Sequence, residues 1–221
     1  MPIAYAMKGT RYLHETECTL DDLCQVALKN RNNGALNPHA HFQETVTLEE
    51  IKNSRPIADP LTLFQCCPNS DGAAAVILSS KPKKYSTEII GSAINSGRYS
   101  PGKIDLTWLE TAANTAKQVY HQAGCEPKDI DVAEVHDAFS IAEILYYEAL
   151  GWVPRGEGYK WIREGHTTLN GKLPVNPSGG LISRGHPLGA SGIAQVIELH
   201  KQLLGIAGKS QIQNGPKLAL A

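Results

Sequence analysis

Two histidines stand where the chain changes direction. His186 lies in residues 176–195, NPSGGLISRGHPLGASGIAQ, between a first bend (Asn176, Pro177, Ser178, Gly179, Gly180) and a second (Gly189, Ala190, Ser191, Gly192). Glycines at that density let a ligand or a second chain segment come close to the main chain. His136 follows the short apolar run IDVAEV, residues 130–135, and precedes Asp137, Ala138, Phe139 and Ser140. A neutral imidazole can donate an N–H to an oxygen that gains negative charge, or take the proton of a thiol and hold it as a thiolate. Either histidine alone also fits a local structural role, a loop hydrogen bond or a cap. Together, beside glycine bends, they point to a site. Asp137 could orient a ring, but capping the helix that follows is the favoured reading. His14, His39, His41, His121, His166 and His200 fall in polar or helical-surface contexts and take no role.

The elements that must carry these residues follow from spacing. Leu20, Leu23, Val26 and Ala27 repeat at helical period behind Thr19, which predicts an N-capped helix over residues 19–30. Thr47 with Glu50 is a capping-box start. The rest of the first third is polar and loop-rich, broken by Pro56 and Pro60, and reads as an excursion over a scaffold. DGAAAVILS (residues 71–79) has the look of a buried strand, and EIIGSA (residues 88–93) is a second candidate. A helix over residues 106–123 is expected, with Thr107 available as its cap and Gly124 ending it. Residues 130–135 make a third strand, Ser140 starts a helix that reaches Leu150, and another runs through Ile193, Val196, Ile197 and Leu203. KLALA, residues 217–221, closes the chain as a strand. Strands alternating with helices argue an α/β layered architecture, in which ligands sit beyond strand C-termini, as His136 does.

Composition excludes several classes. At 221 residues and a net charge of −1, there is no basic excess for nucleic acid or anionic membrane. Hydrophobic content of 42% with 19% charged residues is ordinary globular usage. The first residues, MPIAYAMKGTRY, lack a signal-peptide core, and LALA is neither a peroxisomal tripeptide nor a lipidation box. Five cysteines (Cys18, Cys24, Cys66, Cys67, Cys125) without a secretory signal read as reduced thiols in a cytoplasmic protein. No Cys-x-x-Cys occurs, so no metal site is expected.

The segments VHDAFSIAEILYYEALG (residues 135–151) and NPSGGLISRGHPLGASGIAQ resemble the thiolase superfamily, in the branch shared with sterol-carrier-protein-type thiolases. SDGAAAVILSS and LDDLCQVALKNRNNGALNP resemble the stretches that precede them, in the same order. The resemblance implies two similar α/β halves in a layered sandwich, usually dimeric, that move acyl groups to and from coenzyme A through an S-acyl cysteine. This chain then corresponds to the C-terminal half: a mixed five-stranded sheet layered with helices over residues 71–221, preceded by part of a loop domain over residues 1–70. His186 matches the histidine that activates the nucleophilic cysteine and helps form one oxyanion site. His136 matches the position that holds the enolate oxygen. Cys67, Gly185 and Gly189 are expected to contact the acyl-CoA. Coenzyme A enters as substrate, and no permanently bound cofactor is implied.

Departures from the family pattern shape the functional expectation. The branch usually reads His-Asp-Cys-Phe, where the cysteine shuttles the α-proton; here that position is Ala138. The family's nucleophilic cysteine falls before residue 1, and none of the five cysteines sits in its context. The family also continues past Ala221 through a last strand. The leading expectation is therefore a thiolase acyltransferase whose nucleophile lies outside this chain, with an N-terminal thiolase half or like subunit as partner. Two alternatives stand beside it. One is a thiolase-fold retro-aldolase of CoA-ester side chains working with a small OB-fold partner, which Ala138 suits. The other is a non-catalytic thiolase-like subunit.

Overall fold

Two helix starts in the first third fall where the capping residues sit. The computed structural model describes residues 1–81, 83–97, 104–213 and 215–221. Helix α1 spans Pro2–Glu15 and α2 spans Leu20–Gly34. Thr19 Oγ accepts the Asp22 N–H, and the Asp22 carboxylate accepts the Thr19 N–H at 2.7 Å. The same reciprocal box, Thr47 with Glu50, opens α3 (Leu48–Lys52). The first third is thus more helical than its polar composition suggests. Its apolar faces are used: Tyr12, Leu23, Val26 and Ala27 join one buried cluster with Ile141, Ile144 and Tyr147 of α5 (Ser140–Ala149). A short antiparallel hairpin, β1 (Pro56–Ala58) with β2 (Leu61–Thr62), closes this part.

Helix α4 covers Glu110–Ala123 and ends at Gly124, whose φ of 66° suits a residue without Cβ. Thr107 does not cap it. The residue preceding the helix is Leu109, and the Thr107 hydroxyl bonds Glu15 instead, at 3.0 Å. Strand β3 (Val132–Ala133) is fully buried and lies parallel to β4 (Ala219–Leu220), while Val175 bridges to Ala133. Two short helices, α6 (Gly158–Arg163) and α7 (Gly180–Arg184), and the longer α8 (Ser191–Leu204) follow.

Among the described residues this mixed helix-and-sheet arrangement falls short of the five-stranded sheet expected. Residues 71–79 and 88–93 run without strand pairing, and they are not buried. Ile77 is 97% exposed and Ile89 is 60% exposed. An apolar run becomes a strand only when a neighbour supplies N–H and C=O groups to its backbone. No described segment pairs with either run. No helix among the described residues is long and apolar enough to cross a membrane.

Candidate functional site

Strand β3 delivers His136 through a fixed backbone. The Val135 N–H donates to Asn176 Oδ1 at 2.8 Å, and the Val135 carbonyl accepts from Gln195 Nε2 at 3.0 Å. Asn176 adopts φ 55°, a left-handed angle that asparagine tolerates better than most residues. Its amide also reaches Glu143 at 2.8 Å. The turn at residues 176–180 is therefore bolted to the strand end that precedes His136.

Asp137 performs the decisive connection. It is fully buried and accepts the Leu181 N–H at 2.6 Å, the Ile182 N–H at 3.4 Å and Asn30 Nδ2 at 2.7 Å. Those N–H groups belong to the first turn of α7. Asp137 does cap a helix, then, but α7 and not α5, which begins after Phe139 without a side-chain cap. The difference is long-range: a residue next to His136 holds the helix that runs into His186. Gly180 makes room for it, since a Cβ there would lie 2.2 Å from Asp137 Oδ2. Burial, followed by the charge of Glu143, pushes the Asp137 carboxyl up, and the N–H bond from Leu181 opposes this.

The result is that His136 and His186 meet. Their ring centroids are 4.9 Å apart at an interplanar angle of 84°, an edge-to-face pair. Both are partly buried. Burial lowers the pKa of His136 from 6.5. For His186 burial acts first, then the neighbouring His136 and Arg184, all in the same direction. Two neutral rings at neutral pH follow, each with one donor and one acceptor nitrogen.

The turn bearing His186 is strapped from outside. The His41 N–H donates to the Arg184 carbonyl and the Phe42 N–H to the Ser183 carbonyl, both at 3.0 Å. Gly185, with φ 106°, leaves a Cβ position only 2.7 Å from Ser70 Oγ. Cys67 enters the site region through its backbone: its N–H donates to the Ala138 carbonyl at 2.9 Å, beside the bridge between Cys66 and Phe139. Gly189 faces open space and is exposed. Among the described residues no cysteine hydrogen-bonds either imidazole. Burial pushes the thiols of Cys24, Cys66 and Cys67 up to about 11, and that of Cys18 up to about 12. Such thiols are poorly nucleophilic at neutral pH.

Beneath the rings lies a polar layer that sequence reasoning did not single out. Glu143 is fully buried, pairs with Lys29 at 2.7 Å, and accepts from Asn30, Asn176 and Tyr147. Glu134 accepts from the Ser178 N–H and hydroxyl at 2.9 and 2.8 Å. One signal was present for Asn30. It falls on the same helical stripe as Leu23, Val26 and Ala27, and a polar residue on an apolar stripe needs a buried partner. Among the described residues no cluster of His, Cys, Asp and Glu could hold a metal ion.

Comparison with known proteins matches residues 93–221 to the family model described as thiolase C-terminal domain-like. The chain is 42% identical to the benzoylsuccinyl-CoA thiolase subunit BbsB of Thauera aromatica, over 98% of this chain and 58% of that protein. It is 44% identical to the acetyl-CoA acetyltransferase of Methanothermobacter thermautotrophicus, over 96% and 57%. Sterol carrier protein 2 of Bos taurus is 41% identical, over 99% of this chain and 42% of the relative. The chain thus spans about half the length of the curated relatives it matches. Among solved structures, an Ltp2-ChsH2(DUF35) aldolase superposes with a TM-score of 0.80 at 29% identity, covering 94% of this chain and 56% of that one.

Proposed function

This chain belongs to the thiolase family, and on that premise we propose that it is the histidine-bearing part of an acyl-CoA acyltransferase. The observation that carries the reading is the edge-to-face pair of imidazoles, His136 and His186, at 4.9 Å. His186 takes the proton of a cysteine thiol that another segment or subunit supplies. The thiolate attacks the ketone carbon of a 3-ketoacyl-CoA, the adjacent carbon–carbon bond breaks, and its electron pair leaves as the enolate of the shorter acyl-CoA. His136 donates an N–H to that enolate oxygen. The enolate carbon takes up a proton, equal in count to the one His186 removed from the cysteine, and coenzyme A then takes the acyl group as a thioester while its thiol proton returns to the cysteine sulfur. The raised thiols of this chain's own cysteines support a nucleophile located elsewhere.

Cys67, Gly185 and Gly189 line the approach of the acyl-CoA, and residues 1–70 and 71–221 correspond to loop-domain and C-terminal portions. An N-terminal thiolase half or like subunit is the proposed partner, a reading supported by the word subunit in the name of BbsB, and the cytoplasm is the proposed location. One observation favours a second reading. Ala138 puts no ionisable group where the family's proton shuttle stands, which suits a retro-aldolase of CoA esters with an OB-fold partner.

The test uses the assembly that contains this chain and its cysteine-bearing partner sequence. Acetoacetyl-CoA with free CoA should be consumed, and His186→Ala should abolish the S-acyl intermediate seen by mass spectrometry. With acetyl-CoA as the acyl donor His136→Ala should leave acylation intact, and with acetoacetyl-CoA it should slow carbon–carbon cleavage, and the acylation that follows from it, by about 100-fold. The opposite order of effects would sink the role assignment. Consumption of a 3-hydroxyacyl-CoA alone would transfer the site to the aldolase reading.

A further inference from the structure

We propose that Ser191 is a positioning residue that fixes which nitrogen of His186 carries the proton. This deepens the acyltransfer reading and rests on it only for its purpose, not for its chemistry. Ser191 is the first residue of α8 and is 4% exposed. Its hydroxyl oxygen lies 2.8 Å from His186 Nδ1 and 3.0 Å from the carbonyl oxygen of Pro187.

Two arrangements satisfy those distances. In the first, Nδ1–H donates to the hydroxyl oxygen and the hydroxyl proton goes to Pro187, four residues back, as serine does near helix starts. That makes two hydrogen bonds in a chain, each polarising the other. In the second, the hydroxyl donates to Nδ1, and the ring proton sits on Nε2. That makes one, because no protein acceptor meets Nε2 among the described residues. The Pro187 carbonyl also accepts the N–H groups of Ala190 and Ser191, at 2.9 and 3.0 Å, so it is a focus of donors in either case. The count favours the first arrangement.

The consequence is specific. With the proton on Nδ1, Nε2 keeps its lone pair free to accept a thiol proton. Once it has done so, the imidazolium still donates from Nδ1 to Ser191, and the ring does not have to turn.

The experiment is a long-range 1H–15N spectrum of the 15N-histidine-labelled chain at about pH 8, above the ordinary histidine range. The His186 signals are assigned by their loss in His186→Gln. The expected result is a pyrrole-type Nδ1 and a pyridine-type Nε2. Ser191→Ala should move the Nδ1 signal toward the pyridine-type range as the Nε2–H form gains population, and Ser191→Thr, which keeps the hydroxyl, should restore it. A proton on Nε2 in the unaltered chain overturns the proposal, as does an unchanged tautomer in Ser191→Ala. If Ser191→Ala fails to fold, the unaltered chain and Ser191→Thr decide, since both must show Nδ1–H. None of these readouts involves a CoA ester, so loss of the acyltransfer reading would leave them standing, and the reverse.

Discussion

Residues 130–186 and residues 70–97 both contain short apolar runs, and they end in opposite environments. In the first region Val132 and Ala133 are fully buried between β4 and Val175, and the buried carboxylates Glu134, Asp137 and Glu143 each meet two or more donors. In the second, Ile77, Leu78 and Ile94 face outward along an unpaired backbone. Hydrophobicity is similar, so it does not decide the outcome. What decides it is whether other segments of this chain supply hydrogen-bonding partners and a covering face. The two histidines sit on the region that has both.

That contrast can be broken most forcefully at Glu143. Replacing it with alanine leaves the Lys29 ammonium, 4% exposed, without its carboxylate. Glu143→Ala should cost about 3–5 kcal/mol in urea unfolding of the chain. A cost below 1 kcal/mol would mean that the polar layer does not hold the first region together.

Glu134 gives a smaller and pH-dependent effect. Burial pushes its carboxyl up from 4.5 to about 7, with Arg184 opposing and Glu198 adding. The folded state therefore holds a proton that the unfolded chain releases, and Glu134 contributes stability that is full below about pH 4.5 and is lost as pH rises through about 7. Unfolding midpoints followed across that window should show the fall, on the order of 1–3 kcal/mol from Glu134, and Glu134→Gln should reduce it, with Asp137 supplying the remainder. An unchanged slope would remove Glu134 from the account.

The least effect is expected in the second region. Ile77→Ser with Ile94→Ser should alter unfolding stability by no more than about 0.5 kcal/mol, while reducing self-association in sedimentation, because exposed apolar side chains on unpaired backbone favour sticking. A loss of several kcal/mol would show that these residues are covered in solution.

The sequence was most informative where a signal is local. Thr19 with Asp22 and Thr47 with Glu50 are complete within four residues, so both helix starts could be read directly. Gly124 and the helical stretch of α8 were legible for the same reason. His136 and His186 could be singled out by their bends, yet nothing in the spacing required their rings to meet. That meeting depends on Asp137 reaching Leu181 across 44 residues of chain, and on Asn30 reaching Asp137 across 107. Capping by Asp137 was the right chemistry applied to the wrong helix, because the neighbour in sequence is not the neighbour in space. Residues 71–79 failed differently: the apolar pattern of a strand was read correctly as a pattern, but pairing is a property of two segments.

One feature of the site bears on how it tolerates change. The carboxylate of Asp137 stands one residue from one imidazole and grips the helix that ends just before the other, with Gly180 cut back to let it in. The spacing of the rings is therefore set by short tethers, this one beside the Val135–Asn176 bond, and not by two independent loops. The end of β3 and the first turn of α7 are thus joined directly through one side chain. For the same reason positions 137 and 180 form one heritable unit. A larger residue at 180 or a longer acid at 137 has to be answered at the other, and a transplant of the two histidines onto another scaffold would need to carry all four residues.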